Sequence, residues 1–287
     1  MSDIRAVLDA LYISRTSRHL DNDPVSFCHR FADPADREIS AVVASSFAYG
    51  SIGVILRTLE VIFAEVGSSP RRYVERFDPQ SGLRRFSGFK HRFNDGRDLC
   101  ALFWGMRQMV ECSGSIENFF LQGYRSDDSD ISSSLNHYAG AVRALDYSPV
   151  YGTPDIPADS SYPFLFPAPA SGSACKRLCM FLRWVVRPAD GIDLHLWEGV
   201  SPAQLIIPVD THISRISRYL GLTNRKNADW RMAVDITSAL RSFDRDDPVK
   251  YDFALAHLGI SDGCNGKDMS CCQACPIVKI CSQNRTK

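Results

Sequence analysis

Apolar residues recur at helical spacing along nearly the whole chain, and this periodicity constrains the fold more than any other feature. Ile52, Ile55, Leu56, Leu59, Ile62, Phe63 and Val66 follow the i, i+3, i+4, i+7 pattern of one buried helix face. Leu99, Leu102, Phe103, Met106, Met109 and Val110 repeat it. No convincing run of alternating residues marks a strand, so the expected fold class is all-α. Helix starts are marked at Asp23-Pro24, Asp33-Pro34, Ser201-Pro202 and Asp247-Pro248, each a capping side chain before a proline suited to the first turn. Gly50 splits the pattern between Glu38 and Val66 into two helices. Residues 125–174 differ. RSDDSDISSS is acidic and serine-rich, and SPVYGTPDIPADSSYPFLFPAPASG is rich in Pro, Ser and Gly. This stretch reads as a long ordered or semi-ordered connection whose aromatic residues pack on the body of the protein.

A chain of 287 residues can hold one large domain or two small ones with an ample core. Its 33 Lys and Arg balance 33 Asp and Glu. A strongly basic coat of the kind that grips nucleic acid nonspecifically is therefore excluded, and any nucleic-acid surface must be local. Ile4, Val7, Leu8 and Leu11 place an amphipathic helix at the start, not a signal peptide. No stretch of 18 apolar residues is present, so no membrane span and no membrane partner are expected. The expected location is cytoplasmic. Its ten cysteines then read as reduced thiols or metal ligands, not disulfides.

Five of those cysteines crowd the segment CNGKDMSCCQACPIVKIC. Cys264, Cys272, Cys275 and Cys281 give C-x7-C-x2-C-x5-C, and Cys271 can replace Cys272 with x6 then x3 spacing. Four thiolates suit a tetrahedral zinc or an iron–sulfur cube, in either case with a structural role. The plainer alternative is a set of buried thiols at the end of the chain.

Two further stretches carry chemistry. In SGSACKRLCMFLRWVVR, a glycine-containing turn at Gly172 feeds a helix from about Lys176 that buries Leu178, Phe181, Leu182 and Val185. Backbone N–H groups at such a helix start suit a phosphate. Lys176 stands near the positive helix end, where an ammonium is disfavoured. In IIPVDTHISR, Asp210 is placed to cap the helix carrying Ile213, Ile216 and Leu220. The ordinary readings are a solvated lysine and a helix cap, and the cap does not exclude a catalytic role. Cys175 and Cys179 read as small buried hydrophobes, Trp184 and Trp197 as core, and His195 and His212 as packed histidines.

Taken in order, the hairpin lysine, the V-D-T-H helix start and the cysteine tail resemble the helix-hairpin-helix/Gly-Pro-Asp DNA glycosylase superfamily, most closely its endonuclease III branch. Gly172-Ser173-Ala174-Cys175-Lys176 resembles the family hairpin, with Ala174 where the family has a second glycine. Val209, Asp210, Thr211, His212 and Arg215 match the aspartate segment position by position. The cysteine loop has one extra residue in its first gap. The separation of 34 residues between Lys176 and Asp210 is longer than in endonuclease III and closer to the archaeal 8-oxoguanine glycosylases. As a whole the chain looks most like an uncharacterised bacterial family carrying GSACKRL, FLRWVVR, PVDTH and DPVKYDF together. The resemblance covers residues 171–281.

It implies two helical lobes. One is a barrel lobe over 33–200 with its hairpin near 165–187. The other, formed by 1–32 and 201–287, carries a 4Fe-4S cluster loop, with zinc as the alternative. It implies a nucleoid-associated monomer acting on damaged double-stranded DNA in base excision repair. The enzyme would be a bifunctional glycosylase/AP lyase. Lys176 would attack the sugar of a flipped nucleotide and Asp210 would take the proton. Gly172, Ser173, Ala174, Arg177 and Arg215 would hold DNA, and Cys264, Cys272, Cys275 and Cys281 the metal. A catalytically silent nucleic-acid-binding module on the same scaffold is the alternative. The local basic set Lys176, Arg177, Arg183, Arg187, Arg215 and Arg218 is explained at least half by a solvated face. GFKHRF, Gly88 to Phe93, is a candidate contact to a flipped base or the opposite strand, but reads better as a loop with two buried phenylalanines.

Overall fold

The computed structural model describes residues 2–15, 17–268 and 270–284. Its regular structure is almost wholly helical. The first part holds α1 (Ser2–Ser14), α2 (Pro34–Ser46), α3 (Ile52–Val66), α4 (Pro70–Glu75) and α5 (Pro79–Arg85). A short antiparallel hairpin follows, β1 (Lys90–His91) with β2 (Asn94–Asp95). Then come α6 (Gly96–Ser113), α7 (Ile116–Leu121), α8 (Ser132–Arg143) and α9 (Ser148–Tyr151). The last part holds α10 (Lys176–Val186), α11 (Thr211–Tyr219), α12 (Trp230–Arg241) and α13 (Asp252–Ile260). The all-α expectation is met. No described helix is long and apolar enough to cross a membrane.

Helix α2 is the central element, buried along most of its length between α10, α4 and the 3₁₀ segment Pro24–Arg30. It is started by Asp33, whose carboxylate accepts the Ala35 N–H at 2.7 Å. Glu38, inside α2, is buried because its oxygens cap a different helix. They accept the N–H groups of Ile116 at 3.2 Å and Glu117 at 2.9 Å, and Trp197 Nε1 at 2.8 Å. Those bonds close the start of α7 and fix Trp197 in the core. Trp184 is equally buried, as the sequence suggests. The break at Gly50 separates α2 from α3 as expected, with Gly50 at φ +108°. Leu8 and Leu11 of α1 are buried, and α1 lies against α13.

Three expectations are corrected. The serine-rich stretch within 125–174 contains a full helix, α8, which buries Leu135, Tyr138, Ala139 and Val142. Its start, SSS, masks the apolar spacing that follows. The rest of that connection is pinned by buried Tyr147, Tyr162, Leu165 and Phe166, as its aromatics suggest. Asp247-Pro248 starts no helix, because Asp247 turns instead to Arg187, 2.8 Å away. In GFKHRF the buried groups are polar: His91 is enclosed by Thr58 Oγ1 at 2.9 Å and the Tyr49 carbonyl at 3.0 Å, while Phe93 is 44% exposed.

Candidate active site

Lys176 opens α10. Before it, Gly172 at φ +78° turns the chain, and Cys175 sits in the left-handed region at φ +48° with its own N–H held by Ser173 Oγ at 3.2 Å. That turn is anchored from outside by the Trp230 N–H on the Gly172 carbonyl at 3.2 Å. No side chain caps α10. The Lys176 ammonium donates to the Ala48 carbonyl at the end of α2, 3.1 Å away.

Asp210 caps α11 as expected. Its Oδ1 accepts the N–H groups of His212 and Ile213, each at 2.8 Å. Its other oxygen, Oδ2, accepts no hydrogen bond among the described residues. Although 34 residues separate them in sequence, Lys176 and Asp210 line one cavity of about 750 Å³. No ion pair joins them among the described residues.

The cavity gathers further charge. Asp23, Arg92, Arg183, His212 and Asp252 also line it. Burial alone would raise the Asp23 carboxyl, but contact with His257 and the field of Arg183 outweigh it and hold it below its ordinary range. Asp252 goes the other way. Burial pushes its carboxyl up to about 6, against the pull of Arg183, and the negative charges of Asp210 and Asp193 add to the rise. Its Oδ2 accepts from Arg183 Nη1, while Oδ1 accepts no hydrogen bond among the described residues. The His212 imidazole is pushed down by burial, against the attraction of Asp210. Two carboxyl groups of one cavity thus hold protons differently, which is the arrangement acid–base chemistry needs.

Read from sequence, Asp23 is only a helix cap and Asp252 is not singled out, whereas Arg92 belongs to a stretch that is already a candidate contact to a flipped base. Asp252 lies in DPVKYDF, and Arg92 in GFKHRF. No spacing rule could have joined three segments so distant in sequence.

Other expected site residues are placed differently. Arg177 is buried, stacked over Phe164 at 3.8 Å, with donors on the carbonyls of Ser46 and Phe164. Arg183 and Arg187 are also buried, bonded to Asp193, Asp252, Asp190 and Asp247. The basic set therefore does not form a solvated face. Arg215 ties α11 to the Cys264 carbonyl. Gly172 is exposed, and Ser173 and Ala174 are half-buried. Cys175 and Cys179 are buried as expected. His195 is exposed, not packed, and holds φ +51°.

Cys264, Cys271, Cys272, Cys275 and Cys281 are half-buried thiols. They lie within one another's electrostatic reach, the fields of Cys264, Cys271 and Cys275 all acting on Cys272. Their soft donors fit zinc or an iron–sulfur cube in chemistry. Among the described residues, however, no three His, Cys, Asp or Glu side chains converge as a ligand set.

Fold and cavity together define a helical protein built around a lysine–carboxylate pocket. Residues 23–261 match the family described as a protein of unknown function (DUF2400), and the chain belongs to that family. No curated protein and no solved structure matches the chain. The resemblance to the glycosylase superfamily is overturned by this match, since no model of that superfamily matches. The motifs that carried it have local causes. Asp210 and Thr211 make an ordinary helix start, and the hairpin glycine is an ordinary left-handed turn. The cysteine tail lies outside the matched residues.

Proposed function

We propose that this cavity performs amine chemistry on a nucleotide flipped from DNA, cleaving its N-glycosidic bond and then the strand. The observation that carries the reading is the meeting of Lys176 and Asp210 in one cavity, with Asp252 beside them. Lys176 gives a proton to solvent, and the freed amine attacks the sugar C1′. The C1′–N bond breaks, and its electron pair leaves with the base, which takes up a proton. The surplus amine proton passes to Asp210. Asp210 returns that proton to O4′ as the C1′–O4′ bond breaks and the ring opens to an iminium, and loss of the C2′ proton to water expels the 3′ phosphate by β-elimination. Cavity residues come from both proposed lobes: Lys176 and Arg183 from 33–200, and Asp23, Asp210 and Asp252 from the other. That distribution supports a two-lobed arrangement with the site in the cleft.

The cysteine tail is proposed to close around a metal centre, a 4Fe-4S cluster or zinc, held by Cys264, Cys275 and Cys281 with Cys272 or Cys271. Its role is to order the tail, and no reaction step passes through it.

Borohydride trapping tests the chemistry. Protein purified anaerobically is mixed with duplexes carrying 8-oxoguanine, thymine glycol, uracil or an abasic site. A covalent adduct on one duplex, lost in Lys176→Ala, is the expected result. No adduct on any of them removes the Schiff-base mechanism. Absorbance near 400 nm in the same preparation distinguishes cluster from zinc.

A further inference from the structure

Residues 70–107 carry nine Lys or Arg and four Asp or Glu, a local excess of five positive charges (9 − 4) in a chain of zero net charge. Most acids of this neighbourhood are already engaged: Glu60 by Arg30, Glu65 by Arg85, Glu75 by Arg71, Glu111 by Arg107 and Asp95 by Arg97, while Asp98 is bonded to Asn94 and Ser160 and Asp78, on the rim of the cleft, caps the Ser81 N–H. Arg57, Arg72, Arg76, Arg84, Lys90 and Arg92 are exposed and, among the described residues, have no acidic partner. Arg72, Arg76 and Arg85 border a cleft of about 420 Å³. Arg92 borders the lysine cavity. Helix α3 connects the two openings: Ile52 and Ile55 line the cavity, and Val66 lines the cleft. At 1.5 Å per residue α3 spans about 20 Å, roughly the rise of six base pairs.

A second observation meets this strip at the same end. Phe93 and Phe164 are 44% and 43% exposed, and their rings meet edge to face at 4.4 Å. Tyr49, a cavity residue, stacks on Phe93 at 5.3 Å. An exposed aromatic ledge is costly in water. Beside unpaired cations it offers what an unpaired base and its phosphates need.

We infer that the strip from Arg72 to Arg92 holds a nucleic-acid strand by its phosphates, and that the Phe93–Phe164 ledge stacks a base left unpaired at the cavity mouth. This assignment rests on the proposed nucleotide chemistry for its orientation. It replaces Arg177, which is buried, with a surface that can reach a phosphate. Charge complementarity selects a polyanion, and the aromatic ledge selects one that carries bases.

Fluorescence anisotropy with a labelled duplex containing an abasic-site analogue, and with its fully paired counterpart, tests the inference over a range of salt. The triple variant Arg72→Glu, Arg76→Glu, Arg84→Glu is expected to weaken binding roughly tenfold or more, and to lower the salt slope by about 0.9 for each phosphate no longer neutralised. Phe93→Ala with Phe164→Ala is expected to keep the slope and erase the preference for the abasic duplex. Arg231→Glu with Arg245→Glu, two exposed arginines outside the strip, is the control for net charge. Arg72→Glu and Arg84→Glu alone keep the test decisive if the triple variant does not fold. Binding within twofold of the parent in the strip variants, or an equal loss in the control, overturns the inference. So does parent binding to polyglutamate or anionic vesicles as tight as to DNA. Borohydride trapping separates the two proposals. An adduct with strip-independent binding sinks the strip alone, while strip-dependent binding without any adduct sinks the chemistry alone.

Discussion

Arginines serve opposite ends in two regions of this protein. In the interior, Arg183, which lines the cavity, and Arg187 are almost fully buried and bonded to Asp190, Asp193, Asp247 and Asp252. Along the strip, Arg72, Arg76 and Arg84 are exposed and form no ion pair among the described residues. The difference follows from solvation. A buried guanidinium needs carboxylates to replace water, whereas an exposed one keeps its water and stays available to a ligand. The neutral total charge therefore hides a local difference: buried arginines are matched by acids, while those of the strip form no ion pair among the described residues.

The sharpest way to break this comparison is to remove an acid from the buried cluster. Asp193→Ala removes a partner from both Arg183 and Arg187, and about 3–5 kcal/mol of stability should go with it. In the same urea titration, Arg72→Ala should move stability by no more than about 0.5 kcal/mol. Similar losses in the two variants would erase the distinction.

A subtler effect belongs to pH. The folded carboxyl of Asp252 is raised to about 6 from an ordinary 3.8, so the folded state holds that proton more tightly than the unfolded state does. Its contribution is most favourable below the unfolded value and is lost as pH rises through about 6. Stability measured from pH 4 to pH 7 should therefore carry a falling component that Asp252→Asn removes. Parallel curves for the two proteins would place the titrating group elsewhere.

Much of the scaffold was legible in the sequence, because helical periodicity and caps are local. Asp33 and Asp210 act where their patterns put them, and the apolar face of α10 is buried as its spacing requires. Helix α8 was hidden by a serine-rich start. Arg177, Arg183 and Arg187 could not be placed, since a charged residue on a helix looks the same in sequence whether its partner is water or a distant aspartate. The pairing of Lys176 with Asp210 was suggested by motifs whose family reading is overturned, yet both residues do line one cavity. Asp23 and Asp252 join them through contacts that no local pattern encodes.

Gly259, on α13, faces the His212 ring so closely that a methyl group there would overlap Nδ1. The position of this imidazole in the cavity wall is thus set by one missing carbon atom. Any larger residue at this position must displace the imidazole or push α11 aside. Position 259 is accordingly a mechanical stop that fixes where the His212 ring can stand in the cavity wall.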